Sequence, residues 1–170
     1  DPKNIIYAYD RKAKVLNYKN VIEIEGDLKT TFQFVENIDY VIHLAAFNGT
    51  KHFYTQSYDV IKDNIIPTLN LLDYYRNTNL KKFIYAGTPE STVVSTEYFN
   101  YSLPTDENAP VGVIDIKNKR WSYANSKVLG EQAVIASNLP YTIIRYNNIY
   151  GPRQIDHFIS DFYERICKDK

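Results

Sequence analysis

Residues 40–46 read Tyr-Val-Ile-His-Leu-Ala-Ala, an apolar run broken by one histidine. A stretch this short and this apolar reads as a buried strand. From about Tyr58 to Asn77, Ile61, Ile65, Leu69 and Leu72 recur three and four residues apart, the spacing of one helical face. Pro67 sits inside that pattern and is expected to kink the helix or restart it. Phe83 to Ala86 is the next apolar strand. Strand, helix and strand in that order form the unit of a parallel sheet.

The alternation continues outward from this unit. Asn4 to Tyr9 reads as a short strand ending at Asp10, and Val21 to Ile24 as another, ending at Gly26-Asp27-Leu28. Thr30 to Asn37 is a short helix candidate. On the other side, Thr88 to Lys119 carries Pro89, Pro104 and Pro110 and reads mostly as loop. Ser122 to Ser137 is expected to be a helix that buries Val128, Leu129, Ala133 and Val134. Tyr141 to Ile144 is the next strand, and a last helix runs from about Asp156 to Cys167. The expected fold is an α/β doubly wound parallel sheet covered on both faces. Ligands of such sheets collect at the carboxyl ends of the strands. Here those ends carry Asp10, Asp27, Ala45-Ala46, Gly87-Thr88 and the run from Arg145 to Arg153.

Composition narrows the function. The 170 residues suffice for one core. Lys plus Arg and Asp plus Glu are both 20, so the formal charge is zero, which argues against a nucleic-acid surface or electrostatic membrane attachment. No apolar run reaches the ~20 residues of a membrane span. The single cysteine, Cys167, cannot form an internal disulfide and fits a reducing, cytoplasmic setting. His52 and His157 have no partners at metal-binding spacing, so no metal is expected. His43 reads as a core residue and Glu131 as a solvated or ion-paired surface residue.

Chemistry concentrates in Tyr123-Ala-Asn-Ser-Lys127. On a helix, positions i and i+4 share a face. A lysine ammonium beside a phenol favours the phenolate, which can then act as a base. With sixteen tyrosines in the chain, this spacing alone is weak. Thr88 after one strand and Arg145-Tyr-Asn-Asn-Ile-Tyr-Gly-Pro-Arg153 after another strengthen it, because two arginines and two amides suit phosphate and sugar contacts.

Taken in order, Gly26-Asp27-Leu28, His43-Leu44-Ala45-Ala46, Asn64 before Pro67 to Leu72, Tyr85 to Glu90, Tyr123 with Lys127, and Arg145 to Arg153 resemble the extended short-chain dehydrogenase family of NAD-dependent nucleotide-sugar epimerases, dehydratases and decarboxylases. The resemblance implies a Rossmann-like domain over 1–155 and the start of a substrate-binding region over 156–170. It implies NAD as cofactor, a nucleotide-sugar substrate and a homodimer when full length. Tyr123 would be the acid/base, Lys127 would lower its pKa and hold the nicotinamide ribose, and Thr88 would orient the substrate oxygen, with Glu90 also catalytic. Asp10, with Arg11 beside it, would meet the adenosine ribose, and Asp27 and Leu28 the adenine. Leu44, Ala45, Ala46, Asn64, Ala86, Gly87 and Tyr150 would line the cofactor, while Asn148 and Arg153 would reach the substrate. Dehydratases of this type carry Thr-Asp-Glu where this chain has Thr88-Pro89-Glu90, which favours an epimerase, with a uronic-acid decarboxylase next. The family's opening strand and glycine-rich turn have no counterpart among the six glycines, so about 30 residues are expected to be missing there. The 170-residue piece is therefore expected to be inactive alone, with an empty strand slot between Asn4–Tyr9 and Tyr40–Ala46.

Overall fold

The structure, a computed structural model, describes residues 3–12, 18–30, 35, 37–151 and 158–168. The expected helix over Thr30–Asn37 falls largely outside them. Five strands form two parallel sheets. β1 (Ile6–Asp10) pairs with β2 (Val21–Glu25), and β3 (Tyr40–His43), β4 (Lys82–Gly87) and β5 (Tyr141–Arg145) pair in that order. Among the described residues no strand stands between β1 and β3. β3 stops at His43, shorter than expected, because its register with β4 ends there. Leu44, Ala45 and Ala46 follow as exposed loop.

Four helices accompany the strands: α1 (Thr50–Thr55), α2 (Ser57–Tyr75), α3 (Val93–Phe99) and α4 (Ser122–Ala136). A fifth, α5 (Phe158–Lys168), follows the sheet, with Ile159, Phe162, Tyr163 and Ile166 exposed along it. α2 runs as one helix through Pro67, with neither break nor restart. Its expected stripe is partly displaced: Leu72 is buried and Ile65 half-buried, but Ile61 and Leu69 are exposed, and the buried face is Val60, Asn64, Pro67, Thr68, Leu71, Leu72 and Tyr75. The stretch expected to be mostly loop contains a 3-10 turn (Pro89–Thr92) and α3. Thr88 caps that turn, its hydroxyl accepting from the Glu90 amide.

β4 shows why the core sits where it does. Phe83 and Tyr85 alternate onto one face and are fully buried. They join Leu71, Leu72, Tyr75, Leu80, Val134 and Leu139 beneath α2 and α4. The opposite face is more open than a doubly covered sheet requires: Tyr40 and Ile42 of β3 are 57% and 60% exposed. The β1–β2 pair joins the rest through polar links to α2. Lys29 Nζ lies 2.9 Å from Asp63, and the Asn70 amide donates to the Leu28 carbonyl at 2.8 Å.

α4 approaches β4 closely. At Gly130 a Cβ would overlap the Tyr85 hydroxyl, whose buried ring has no room to withdraw. Leu129, expected inside, is exposed, and the buried face is Ala124, Lys127, Gly130, Glu131 and Val134. The helix is turned so that its small and charged residues, rather than its largest apolar one, meet the sheet.

His43 is 3% exposed. Its Nε2 lies 3.0 Å from the Thr68 hydroxyl, which donates to the Asn64 carbonyl, so the ring donates through Nε2. Burial, with the Lys127 charge, lowers its pKa to about 3.

Two outcomes are expected. Gly130→Ala gains helix propensity yet overpacks the Tyr85 contact, and denaturant melts will show a net loss of about 1–2 kcal/mol; unchanged stability would contradict the packing described. His43 is neutral when folded and ordinary when unfolded, so only the unfolded chain takes up its proton between pH 6.5 and about 3. Stability therefore falls with pH in that window by up to ~1.4 kcal/mol per unit from this group and is unaffected by it above pH 6.5. His43→Gln will show a shallower decline, and identical slopes in both proteins would refute the assignment.

Candidate active site

The side chains that carry chemistry meet where β4, the turn after it, α1 and the start of α4 come together. Tyr123 and Lys127 lie one turn apart on α4. The Tyr123 ring is half-buried and stacks on Phe53 of α1, with centroids 5.0 Å apart and planes 16° from parallel. Phe53 was not anticipated from the sequence. Burial raises the Tyr123 pKa, and the Glu90 charge adds to this.

Lys127 is 2% exposed. Its ammonium sits 4.5 Å from the centroid of the Tyr85 ring, a cation–π contact. Desolvation lowers its pKa to about 8, opposed by Glu131. The net displacement of the Tyr123 phenol pKa is upward, from burial and Glu90, while the Lys127 ammonium faces the Tyr85 ring. Lys127 has no hydrogen-bond acceptor among the described residues. No described side-chain nitrogen or oxygen is at once sealed from solvent and unpartnered. The ammonium therefore opens to the site with three donors to offer.

Thr88 is 5% exposed at the end of β4. Its hydroxyl oxygen accepts from the Glu90 amide at 3.4 Å and its proton has no acceptor among the described residues. Glu90 is engaged with Arg120, which donates through Nη2 at 2.7 Å and Nη1 at 3.2 Å. The Arg120 guanidinium also lies over Phe53 and Trp121, 5.1 and 5.3 Å from the ring centroids.

Asn64 is buried, and its side chain is hydrogen-bonded within the protein. Its carbonyl oxygen accepts from the Phe47 amide at 2.6 Å, and its Nδ2 donates to Ser126 Oγ at 2.9 Å. Ser126 Oγ in turn donates to the Tyr123 carbonyl at 2.7 Å. Asn64 thus ties the loop after β3 to the first turn of α4.

Glu131 departs from its expected surface position. It is 4% exposed and takes Arg145 of β5 through Nε at 3.1 Å and Nη2 at 2.8 Å. Gly87 leaves the room for this, since a Cβ there would overlap the Glu131 carboxylate. Arg145 is therefore bound to Glu131 and holds the end of β5 to α4. Asn148 and Tyr150 follow as exposed loop, and Arg153 lies outside the described residues.

At the ends of β1 and β2 a groove is lined by Asp10, Arg11, Asp27, Leu28, Lys29, Ala45, Ala46, Asp63 and Pro67. The Asp10 carboxylate accepts from the Lys12 amide and that of Asp27 from the Lys29 amide, both at 3.0 Å. Arg11 reaches Asp63 at 4.0 Å and is largely exposed. Lys29 and Asp63, missed from the sequence, make this groove more charged than anticipated.

The description "NAD dependent epimerase/dehydratase family" matches residues 6–170. A dTDP-D-glucose 4,6-dehydratase of Dictyostelium discoideum is 35% identical over an alignment covering 92% of this chain and 38% of that protein. A UDP-N-acetyl-alpha-D-glucosaminuronate decarboxylase of Bacillus cytotoxicus is also 35% identical, over 76% of this chain and 39% of its own length. The UDP-N-acetylglucosamine 4-epimerase of Methanobrevibacter ruminantium superposes with a TM-score of 0.76 at 25% identity, covering 91% of this chain and 50% of that one. The chain spans half or less of the length of each of these relatives. A match through both sheets and the Tyr123–Lys127 helix settles the relationship: this chain belongs to the NAD-dependent epimerase/dehydratase family.

Proposed function

We propose that the chain forms the proton-transfer and nucleotide-facing part of an NAD-dependent nucleotide-sugar epimerase. The observation that carries this reading is the start of α4, where a half-buried phenol and a buried ammonium with no hydrogen-bond acceptor among the described residues lie one turn apart. The residues fit a dinucleotide in two places. Lys127 lacks the acceptors that ribose hydroxyls supply, and the groove at Asp10 and Asp27 offers carboxylates to an adenosine. Ala45 and Ala46 line that groove with small side chains. NAD, when bound, would accept a hydride from a sugar carbon and return it. Tyr123 takes the proton of the neighbouring hydroxyl and later gives it back. Thr88 donates its free proton to the same oxygen and orients it. Lys127 holds the ribose and brings positive charge toward the phenol, against the upward pull of burial.

A uronic-acid decarboxylase is the second reading, favoured by the retained Glu90 and by the likeness to the Bacillus cytotoxicus decarboxylase. Pro89 in place of an acid disfavours dehydration. A non-catalytic NAD-binding relative is the reading from another class. We place the protein in the cytoplasm, consistent with a lone, unpaired Cys167. The complete protein would pair as a homodimer through the outer faces of α2 and α4, where Ile61 and Leu129 are exposed.

The decisive experiment incubates the full-length protein with UDP-glucose, dTDP-glucose and UDP-glucuronate and identifies the products. Inverted hydroxyls support the epimerase, carbon dioxide from the uronate moves the assignment to the decarboxylase, and no turnover on any of them leaves the non-catalytic reading. In the active protein, Tyr123→Phe will lower kcat by roughly 10²–10⁴ with little change in melting temperature. Because the working form of Lys127 is charged and its pKa is about 8, kcat/KM will decline as pH rises past that value; a flat profile to pH 9.5 would exclude this role.

A further inference from the structure

The Arg120–Glu90 pair lies one ring away from the proton-transfer residue. Arg120 comes from the 3-10 turn Lys119–Trp121, immediately before α4, and Glu90 from the turn after β4. Their side chains are 26% and 28% exposed, so the pair is largely removed from solvent. The guanidinium lies against Phe53, and Phe53 carries the Tyr123 ring. The Ser122 hydroxyl donates to the Phe53 carbonyl at 3.4 Å, so backbone and ring of Phe53 are both held from the α4 side.

We infer that Arg120 is a positioning residue for the Tyr123 phenol: it backs the Phe53 ring on which the phenol stacks, and it neutralises the Glu90 carboxylate that faces it. The two roles come from one side chain because the guanidinium is flat. Its face meets the aromatic ring while its edge donates two parallel hydrogen bonds. A lysine could supply the charge but not both contacts.

The charged and titratable groups around Tyr123 are few. Glu90 comes from the turn after β4, Arg120 from the turn before α4, Lys127 from α4 itself and Tyr85 from β4; Tyr54, on α1, faces Arg120. Of these, Glu90 opposes ionisation of the phenol directly, in the same direction as burial. Arg120 cancels much of that opposition. Without Arg120, a carboxylate would stand uncompensated near a group that must become an anion to act as a base.

This inference rests on the reading of Tyr123 as the proton-transfer residue, and the test separates the two. The full chain is labelled with 3-fluorotyrosine, which brings phenol titration into a range where the fold survives. Tyr123 is assigned by its loss in Tyr123→Phe, and its midpoint is followed by fluorine NMR. Arg120→Leu is expected to raise the midpoint by roughly one pH unit, the size of one unscreened charge at this depth. Glu90→Gln is expected to lower it, and the double variant Glu90→Gln/Arg120→Leu to return it close to the parent value. Arg120→Lys should recover the electrostatic part while the Tyr123 resonance broadens or moves, because the ring loses its flat backing. An unchanged midpoint in a folded Arg120→Leu protein overturns the proposal. Should that variant fail to fold, an unchanged midpoint in Glu90→Gln overturns it equally, and a lowered one supports it. Midpoints that move as expected in a protein that turns over no nucleotide sugar would sink the proposed function and leave the positioning role standing.

Discussion

Helix α4 lies against β4 through two glycines, one on each element, and the site depends on that approach. Gly130 on the helix admits the Tyr85 hydroxyl, and Gly87 on the strand admits the Glu131 carboxylate. A side chain at Gly130 would press on the Tyr85 ring, and one at Gly87 would displace the Glu131 carboxylate. Tyr85 would then leave the Lys127 ammonium, and Glu131 would leave Arg145. Interiors of this kind are packed to near-crystalline density, so a displacement at one contact is carried to the next. The first turn of α4 is thus placed by contacts a full turn or more further along it.

The same approach buries charge. Lys127 and Glu131 are both almost fully covered, one turn apart on one face. An uncompensated charge there would cost several kcal/mol. Glu131 is compensated by Arg145, whereas among the described residues Lys127 has the face of Tyr85 and the more distant Glu131. The inequality is informative. A structural lysine would be expected to carry a full ion pair. One left with an aromatic platform and a depressed pKa is what the proposed cofactor contact would call for.

Which parts of this were legible in the sequence follows from the range of the interactions involved. The strands, α2 and α4 were legible because they are encoded by local spacing. Helix α3 was not: Val93, Val94 and Thr96 are β-branched, with Pro89 just upstream, and local propensity there speaks against a helix that tertiary contacts supply. One such contact is the bond from the Ser95 hydroxyl to the Pro110 carbonyl. The orientation of α4 was likewise misjudged at Leu129. Apolar periodicity assigns the largest side chain to the interior, yet here the interior position goes to a charged residue whose partner comes from another strand. Glu131–Arg145 and Arg120–Phe53 join residues from different elements, and nothing in local spacing announces either. Asn64 shows the converse. Its place beside Pro67 was readable, but its work, linking Phe47 to Ser126, depends on a loop and a helix far from it in the chain.

The position of Glu90 constrains the chemistry further than its identity does. A carboxyl group that assists elimination of a hydroxyl must bring a proton to the leaving oxygen. In this structure both Glu90 oxygens accept from Arg120, so the group stands as the anionic half of an ion pair. A carboxylate held this way is placed to orient a substrate or to shape the field around Tyr123. Pro89 beside it adds neither a side-chain proton nor an amide hydrogen. Under the function proposed above, the proton traffic falls to Tyr123 and Thr88, one able to accept a proton and return it, the other to donate a hydrogen bond. On the proposed reading that pair serves a reaction in which a hydroxyl is oxidised and then restored.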